Sequence, residues 1–261
     1  MYRSRVIGIR RMSEVLSTDG LTKSFSGFLA IDNVDFAIEQ GELRALIGPN
    51  GAGKTTFFNL LSGTFSPTEG TIEVNGEDIT GKQPHQIADH GIARSFQISN
   101  LFDGMTVMEN LRLGVLSTRT DGFSLSFLAS DIENDEQMKS QAYEVARQVD
   151  LGDAADTEVS ELSHGQKRKL EIGIALSLDP ELLLLDEPAA GLTTDETMEL
   201  VDTIRSVSDD RTILLIEHDM ELVHDLADTI SVLHHGELIA EGDPTDVREN
   251  SQVQNVYLGG E

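Results

Sequence analysis

Gly48-Pro49-Asn50-Gly51-Ala52-Gly53-Lys54-Thr55-Thr56 decides how the rest of this chain reads. The apolar run Leu43–Ile47, interrupted by Arg44, precedes it and reads as a buried strand. Phe57-Phe58-Asn59-Leu60-Leu61 follows and reads as the start of a helix. Strand, G-x-x-x-x-G-K-T, helix is the context that a phosphate-binding loop requires. Gly48, Gly51 and Gly53 let the backbone wrap close to an oxyanion, so that successive N–H groups and the helix start point at it. In such a loop Lys54 reaches the β- and γ-phosphates, and the Thr55 hydroxyl ligands Mg²⁺. A glycine-rich turn that happens to precede Lys-Thr would carry the same residues, so other stretches must decide.

Leu182-Leu183-Leu184-Leu185-Asp186-Glu187-Pro188 is the first of them. An apolar run ending in two carboxylates reads as a buried parallel strand that delivers Asp186 and Glu187 at its C-terminal tip. There Asp186 holds a Mg²⁺ shell, and Glu187 polarises water for attack on phosphate. Thr212–Ile216 repeats the pattern and ends in Glu217-His218-Asp219. His218 at that tip reads either as a contact to the γ-phosphate or as a loop histidine; the other histidines read as surface or packing. Leu162-Ser163-His164-Gly165-Gln166 opens a further helix. Ser163 with Gln166 fits a capping box, which alone accounts for both residues. A serine cap and a glycine at a helix start also make an anion site. Lys167, Arg168 and Lys169 then run against the helix dipole, which is odd unless a polyanion lies near.

Elsewhere the chain is α/β. Residues 21–25, 29–31, 34–38 and 71–74 read as short strands punctuated by Gly and Asp, an antiparallel piece ahead of the core. By spacing alone Phe25 reads as a core phenylalanine. Ile92 to Gln97 reads as a strand ending in an amide that can offer an oxygen to Mg²⁺ or to attacking water. Residues 106–149 read mainly as helix around a Ser-, Thr-, Asp- and Gly-rich loop at 117–135, so that a helical subdomain spans about 98–178.

Taken together these stretches resemble the ATP-binding subunit of an ABC transporter over residues 13–261. The Walker A loop is similar to residues 48–56, the Q-loop glutamine to Gln97, and the signature motif to residues 162–166. Walker B is similar to Leu182–Asp186 and the H-loop histidine to His218. The resemblance implies a P-loop NTPase (RecA-like) core with an N-terminal antiparallel β subdomain and an inserted α-helical subdomain. It implies ATP and Mg²⁺ held by Gly48, Asn50, Gly51, Gly53, Lys54, Thr55, Thr56, Gln97 and Asp186, with Phe25 stacked on adenine. Glu187, His218 and Gln97 become the catalytic group. Ser163, Gly165 and Gln166 bind the nucleotide of a facing chain. Two departures stand out: His164 replaces the usual third signature glycine, and Thr193 replaces the usual D-loop aspartate, which lowers the expected basal hydrolysis.

Gly91-Ile92-Ala93-Arg94-Ser95-Phe96-Gln97, the residues 162–172, Asp186-Glu187-Pro188-Ala189-Ala190-Gly191 and the ending Val256-Tyr257-Leu258-Gly259 narrow the resemblance. They look like the branched-chain (hydrophobic) amino-acid uptake group, with the ATPase subunits of urea importers almost as similar. That likeness implies a peripheral protein at the cytoplasmic face of the cell membrane. Its partners would be two permease subunits, a second ATPase subunit (identical or related) and an extracytoplasmic solute-binding protein. The rival from another class is a soluble ABC ATPase that moves no solute. Chromosome-type relatives need long coiled coils, and no sustained heptads occur here.

Composition bounds these readings. The 261 residues, 39% hydrophobic, suffice for a core, and the absence of cysteine excludes thiolate chemistry and Cys-based metal sites. Residues 1–11 carry Arg3, Arg5, Arg10 and Arg11 and no acid, against the trend of the chain. The expectation is that the natural chain starts at Met12 and that this piece is an upstream extension. Acids outnumber bases 46 to 19, giving a net charge of −27 that repels nucleic acid. The six lysines (Lys23, Lys54, Lys82, Lys139, Lys167, Lys169) are few and the acids are dispersed. Such a surface resembles proteins of salt-accumulating halophiles, where molar salt screens self-repulsion. Circular dichroism should therefore show a folded chain in molar KCl and loss of structure at low salt; full stability at low salt would refute the halophilic reading.

Overall fold

The computed structural model describes residues 14–95, 101–117 and 136–258. It opens with a hairpin of two long strands, β1 (Glu14–Phe25) and β2 (Phe28–Glu39), followed by β3 (Leu43–Ile47) and α1 (Lys54–Leu61). The breaks at Asp19-Gly20 and Asp32-Asn33, which divide the sequence into short segments, are irregularities inside these two strands. The register shifts between Thr18 and Leu21, and Gly20 and Asn33 take positive φ values of 57° and 50°. An extra residue in a ladder bends a strand without ending it, so two long strands replace the several short ones expected. β4 (Glu69–Val74) and β5 (Glu77–Asp78) complete an antiparallel sheet of order β2-β1-β4-β5.

After α2 (Pro84–Ala88) and β6 (Ile92–Arg94) the chain leaves the sheets for α3 (Val107–Ser117), α4 (Glu136–Gln148) and α5 (His164–Leu176). These three helices share one apolar cluster through Leu111, Val145, Val149 and Leu170. The expected loop at 117–135 begins at the last residue of α3 and otherwise lies outside the described residues. The chain then returns through β7 (Leu182–Asp186), α6 (Thr194–Ser208), β8 (Thr212–Ile216), α7 (Met220–Leu226), β9 (Thr229–His234), β10 (Glu237–Gly242), α8 (Pro244–Glu249) and α9 (Ser251–Leu258). The second sheet has the order β10-β9-β3-β8-β7-β6, parallel except for the β9–β10 pair.

Every residue of β3, β7 and β8 is buried, which explains why these strands read as unbroken apolar runs. Their side chains alternate between two cores. Leu183, Leu185, Ile213 and Leu215 face the helical cluster, while Leu182, Leu184, Leu214 and Ile216 face the cluster formed with α1 and the antiparallel sheet. Arg44 is tolerated within β3 because Glu42 (2.8 Å) and Glu241 (2.7 Å) neutralise it and its guanidinium lies 5.2 Å from the centre of the Phe36 ring. No described helix is long and apolar enough to cross a membrane. Leu184 is fully buried at the centre of its face. Leu184→Ala should cost about 2–5 kcal/mol in urea unfolding with an unchanged slope, the signature of a cavity in an intact fold.

Candidate active site

Because β3, β8, β7 and β6 run parallel, their C-terminal ends lie on one edge of the sheet, where open α/β sheets bind ligands. That edge receives residues 48–56 from β3, Glu217-His218-Asp219 from β8 and Asp186-Glu187 from β7. The segment after β6 leads to Gln97, which lies outside the described residues.

Residues 48–53 form a tight cradle. A Cβ on Gly48 (φ 154°) would lie 2.1 Å from the carbonyl oxygen of Leu233, and one on Gly53 (φ 110°) 2.5 Å from that of Ala30, so neither position admits a side chain. Gly51 also takes positive φ, 81°, and Asn50 is exposed beside it. Gly53 is the N-cap of α1 and offers no side-chain cap, and no acid lies in the first turn. The first N–H groups of α1 therefore have no side-chain acceptor, which is the state an anion completes. Lys54 is buried and its Nζ donates to the carbonyls of Gly48 (2.6 Å) and Pro49 (3.3 Å). Burial lowers its pKa, and the nearby charges of Glu187 and Asp186 oppose that shift. Thr55 is exposed and Thr56 half-buried.

Opposite stands a set of carboxylates in different settings. Asp186 is buried; its Oδ2 accepts from Nη2 of Arg94 at 2.7 Å, and its Oδ1 has no partner. A buried carboxylate oxygen without a donor suits a hard cation, which takes oxygen ligands, so Asp186 with Thr55 fits Mg²⁺. Glu187 is a non-glycine residue at φ 47°, a conformation costing on the order of 1–3 kcal/mol that persists where neighbours enforce it. Its N–H donates to the carbonyl of Ile216 (2.9 Å), tying the tip of β7 to that of β8. Glu217, also buried, accepts from the backbone N–H of Ala189 (3.0 Å) and of His218 (3.2 Å). Burial raises its pKa, and those two N–H bonds pull against the rise. The His218 side chain is exposed, with Nδ1 3.7 Å from Glu217.

Phe25 is not in the core. It is 40% exposed at the end of β1, edge-on to Phe65 at 5.3 Å, with Lys23 Nζ 5.1 Å from its ring centre. The spacing-based expectation of a core position therefore fails, because Phe25 sits at the tip of the β1–β2 hairpin, paired with Phe28 and beyond the last β4 pairing at Thr22. An exposed ring held in place by a second ring is a platform for a flat ligand.

The signature stretch stands apart from this edge. Ser163 caps α5 and forms the full capping box with Gln166 (3.2 and 3.0 Å). Gly165 donates its N–H to Glu196 Oε1 at 3.0 Å, and His164 is exposed. Among the described residues no hydrogen bond joins residues 163–166 to residues 48–56. Lys167, Arg168 and Lys169 need no polyanion: Asp103 lies 3.7 Å from the first and Glu171 2.8 Å from the second. Asp150 (2.9 Å) and Glu199 (3.4 Å) neutralise the third. Thr193, at the D-loop position, caps α6 in a box with Glu196. The N–H of Thr193, that of Gly165 and the Thr193 hydroxyl hold the Glu196 carboxyl down to about 2.

Sequence reasoning passed over Arg94, Glu196 and Glu217. Glu217 had a usable signal, an acid ending an apolar run as Asp186 does. Arg94 and Glu196 act across the fold and had none. Tyr257 of α9 adds a contact of the same kind: burial pushes its phenol up to about 12, opposed by a hydrogen bond from the Gly48 backbone.

Residues 31–190 match the family described as ABC transporter, and residues 237–261 match the family described as branched-chain amino acid ATP-binding cassette transporter. The chain is 40% identical to the high-affinity branched-chain amino acid transport ATP-binding protein BraF of Pseudomonas aeruginosa, over 94% of this chain and 98% of that one. It is equally similar to LivG of Escherichia coli, 40% over the same shares, and 34% identical to a probable LivG of Archaeoglobus fulgidus, over 95% and 96%. Among solved structures, the ADP conformation of MJ1267, an ATP-binding cassette of an ABC transporter, superimposes with a TM-score of 0.84 at 31% identity, covering 95% of this chain and 99% of the other. The chain belongs to the ABC transporter family, and within it to the branched-chain amino acid transport ATP-binding proteins.

Proposed function

We propose that this chain, an ATPase of that family, energises an importer of branched-chain amino acids. The observation that carries the chemistry is the single sheet edge on which a glycine cradle, Lys54 and two differently set carboxylates converge. The cradle N–H groups and Lys54 bind the phosphates, Lys54 exchanging the carbonyls of Gly48 and Pro49 for phosphate oxygens. Phe25 supports the adenine. Thr55, Asp186 and Gln97 would be the protein ligands of Mg²⁺, which would offset the charge of the phosphates. Glu187, fixed by its strained backbone, accepts a proton from the attacking water. Glu217 sets the backbone of Ala189 and of His218, and the exposed His218 ring is the contact assigned to the γ-phosphate.

Among the described residues Ser163 and Gly165 make no hydrogen bond to the cradle of their own chain, so each completes the site of a facing ATPase subunit, a second copy or a relative. Closure excludes water and strengthens every phosphate contact. In the lone chain the Gly165 amide is held by Glu196, and closure exchanges that carboxylate for nucleotide. Two permease subunits and an extracytoplasmic binding protein complete the transporter, and this chain sits peripherally on the cytoplasmic face of the membrane. The dispersed acids fit work in concentrated salt. The ATPase domain spans residues 12 to 261, with the helical unit at about 98–178 coupling to the permease.

Two substitutions test this reading. Glu187→Gln should bind ATP normally, hydrolyse it about 10²–10⁴-fold more slowly, accumulate paired subunits on gel filtration with ATP and stop leucine uptake by cells. Near-normal turnover would exclude Glu187 as the base, and undiminished uptake would exclude the importer. Lys54→Ala should lose tight ATP binding by calorimetry while its circular dichroism is unchanged; retained affinity would remove the cradle assignment.

A further inference from the structure

Arg94 closes β6, the edge strand paired with β7, and its guanidinium joins three elements. Nη2 donates to Asp186 Oδ2 at 2.7 Å, while Nη1 donates to Asn59 Oδ1 at 2.6 Å and to Ser62 Oγ at 3.3 Å. Asn59 lies on α1, the helix that begins at Lys54, and Ser62 is its C-cap. The Asp186 side chain is 1% exposed and that of Arg94 14%. One carboxylate oxygen is thus engaged, and the other, Oδ1, is buried with no partner.

A carboxylate has two equivalent oxygens and turns freely between them. A guanidinium whose Nη1 is held by Asn59 and Ser62 and whose Nη2 donates to Oδ2 limits that freedom through one short, charge-assisted bond. It also offsets the charge of an acid that would otherwise be buried unpaired, at high cost. The free oxygen then has one defined direction, and α1, which carries Lys54 and Thr55, is tied to the same group.

We propose that Arg94 is a positioning residue for magnesium: it holds Asp186 with one oxygen occupied and the other presented to the nucleotide-bound cation, in fixed register with α1. This rests on the reading of Asp186 as a metal ligand. The Arg94 guanidinium is engaged with Asp186, Asn59 and Ser62, so its expected effect lies in the metal-dependent part of binding. Groups that orient metal ligands typically contribute 10–100-fold to metal affinity.

The test measures the affinity of the full chain for a fluorescent ATP analogue in EDTA and in excess Mg²⁺, with Mn²⁺ electron paramagnetic resonance as a direct report on the ion. Arg94→Met should leave the metal-free affinity unchanged and weaken binding of the ion to the nucleotide complex about 10–100-fold, with an altered Mn²⁺ spectrum. Arg94→Lys keeps the charge and the fold but cannot hold Asp186 and Asn59 together, so it should recover only part of the loss. If Arg94→Met does not fold, Arg94→Lys decides alone: wild-type Mg²⁺ dependence and spectrum in it would overturn the proposal, as would a loss of affinity equal with and without metal. Asp186→Asn is the control. If it keeps the full Mg²⁺ effect, the metal-site reading itself fails, and that failure is distinct from one confined to Arg94.

Discussion

Burial of β3, β8 and β7 on both faces is the constraint from which the rest of the structure follows. A strand with no solvent-facing side must be apolar throughout and must satisfy its backbone in the sheet, so polar residues are expelled to its ends. Parallel pairing puts the C-terminal ends together. The glycine cradle, the carboxylates and His218 therefore meet at one edge although they come from residues 48–56, 186–187 and 217–218. The apolar runs that build the two cores on either side of the sheet also aim the chemistry.

At that edge charge is arranged against the character of the whole chain. A polypeptide of net charge −27 brings Asp186, Glu187 and Glu217 to adjacent strand ends. The basic groups beside them are few and each has a defined partner: Arg94 on Asp186, Lys54 on the carbonyls of its own loop. Glu217 is held by backbone N–H groups rather than by a cation, so burial wins and its pKa rises, whereas half-buried Glu196, with the Thr193 and Gly165 donors around it, moves the other way. The same residue type thus serves as a buried brace in one place and a fully charged acceptor in another.

Much of this was legible in the chain. The phosphate loop, the two carboxylate-tipped strands and the capping box at Ser163 each have a local signature, because glycine sterics, unbroken apolar runs and N-cap chemistry act over a few residues. What escaped depends on folding. Asp19-Gly20 and Asp32-Asn33 look like strand ends, yet the ladder absorbs them as irregularities. Phe25 looks like core until the hairpin runs past β4 and leaves it at the exposed tip. Lys167, Arg168 and Lys169 seem to need an external polyanion until Asp103, Asp150, Glu171 and Glu199 are brought beside them. No periodicity could have joined Arg94 to Asp186, 92 positions away.

The Glu196 carboxylate reaches from α6 to the N–H of Gly165 at the start of α5, which bears on the solitary subunit. A tethered anion competes with diffusing ones at the high effective concentration that its short arm enforces. In the solitary subunit the Gly165 N–H is therefore already engaged. An oxyanion arriving alone would have to displace that carboxylate by itself, whereas one carried on an opposing face would bring further partners with it.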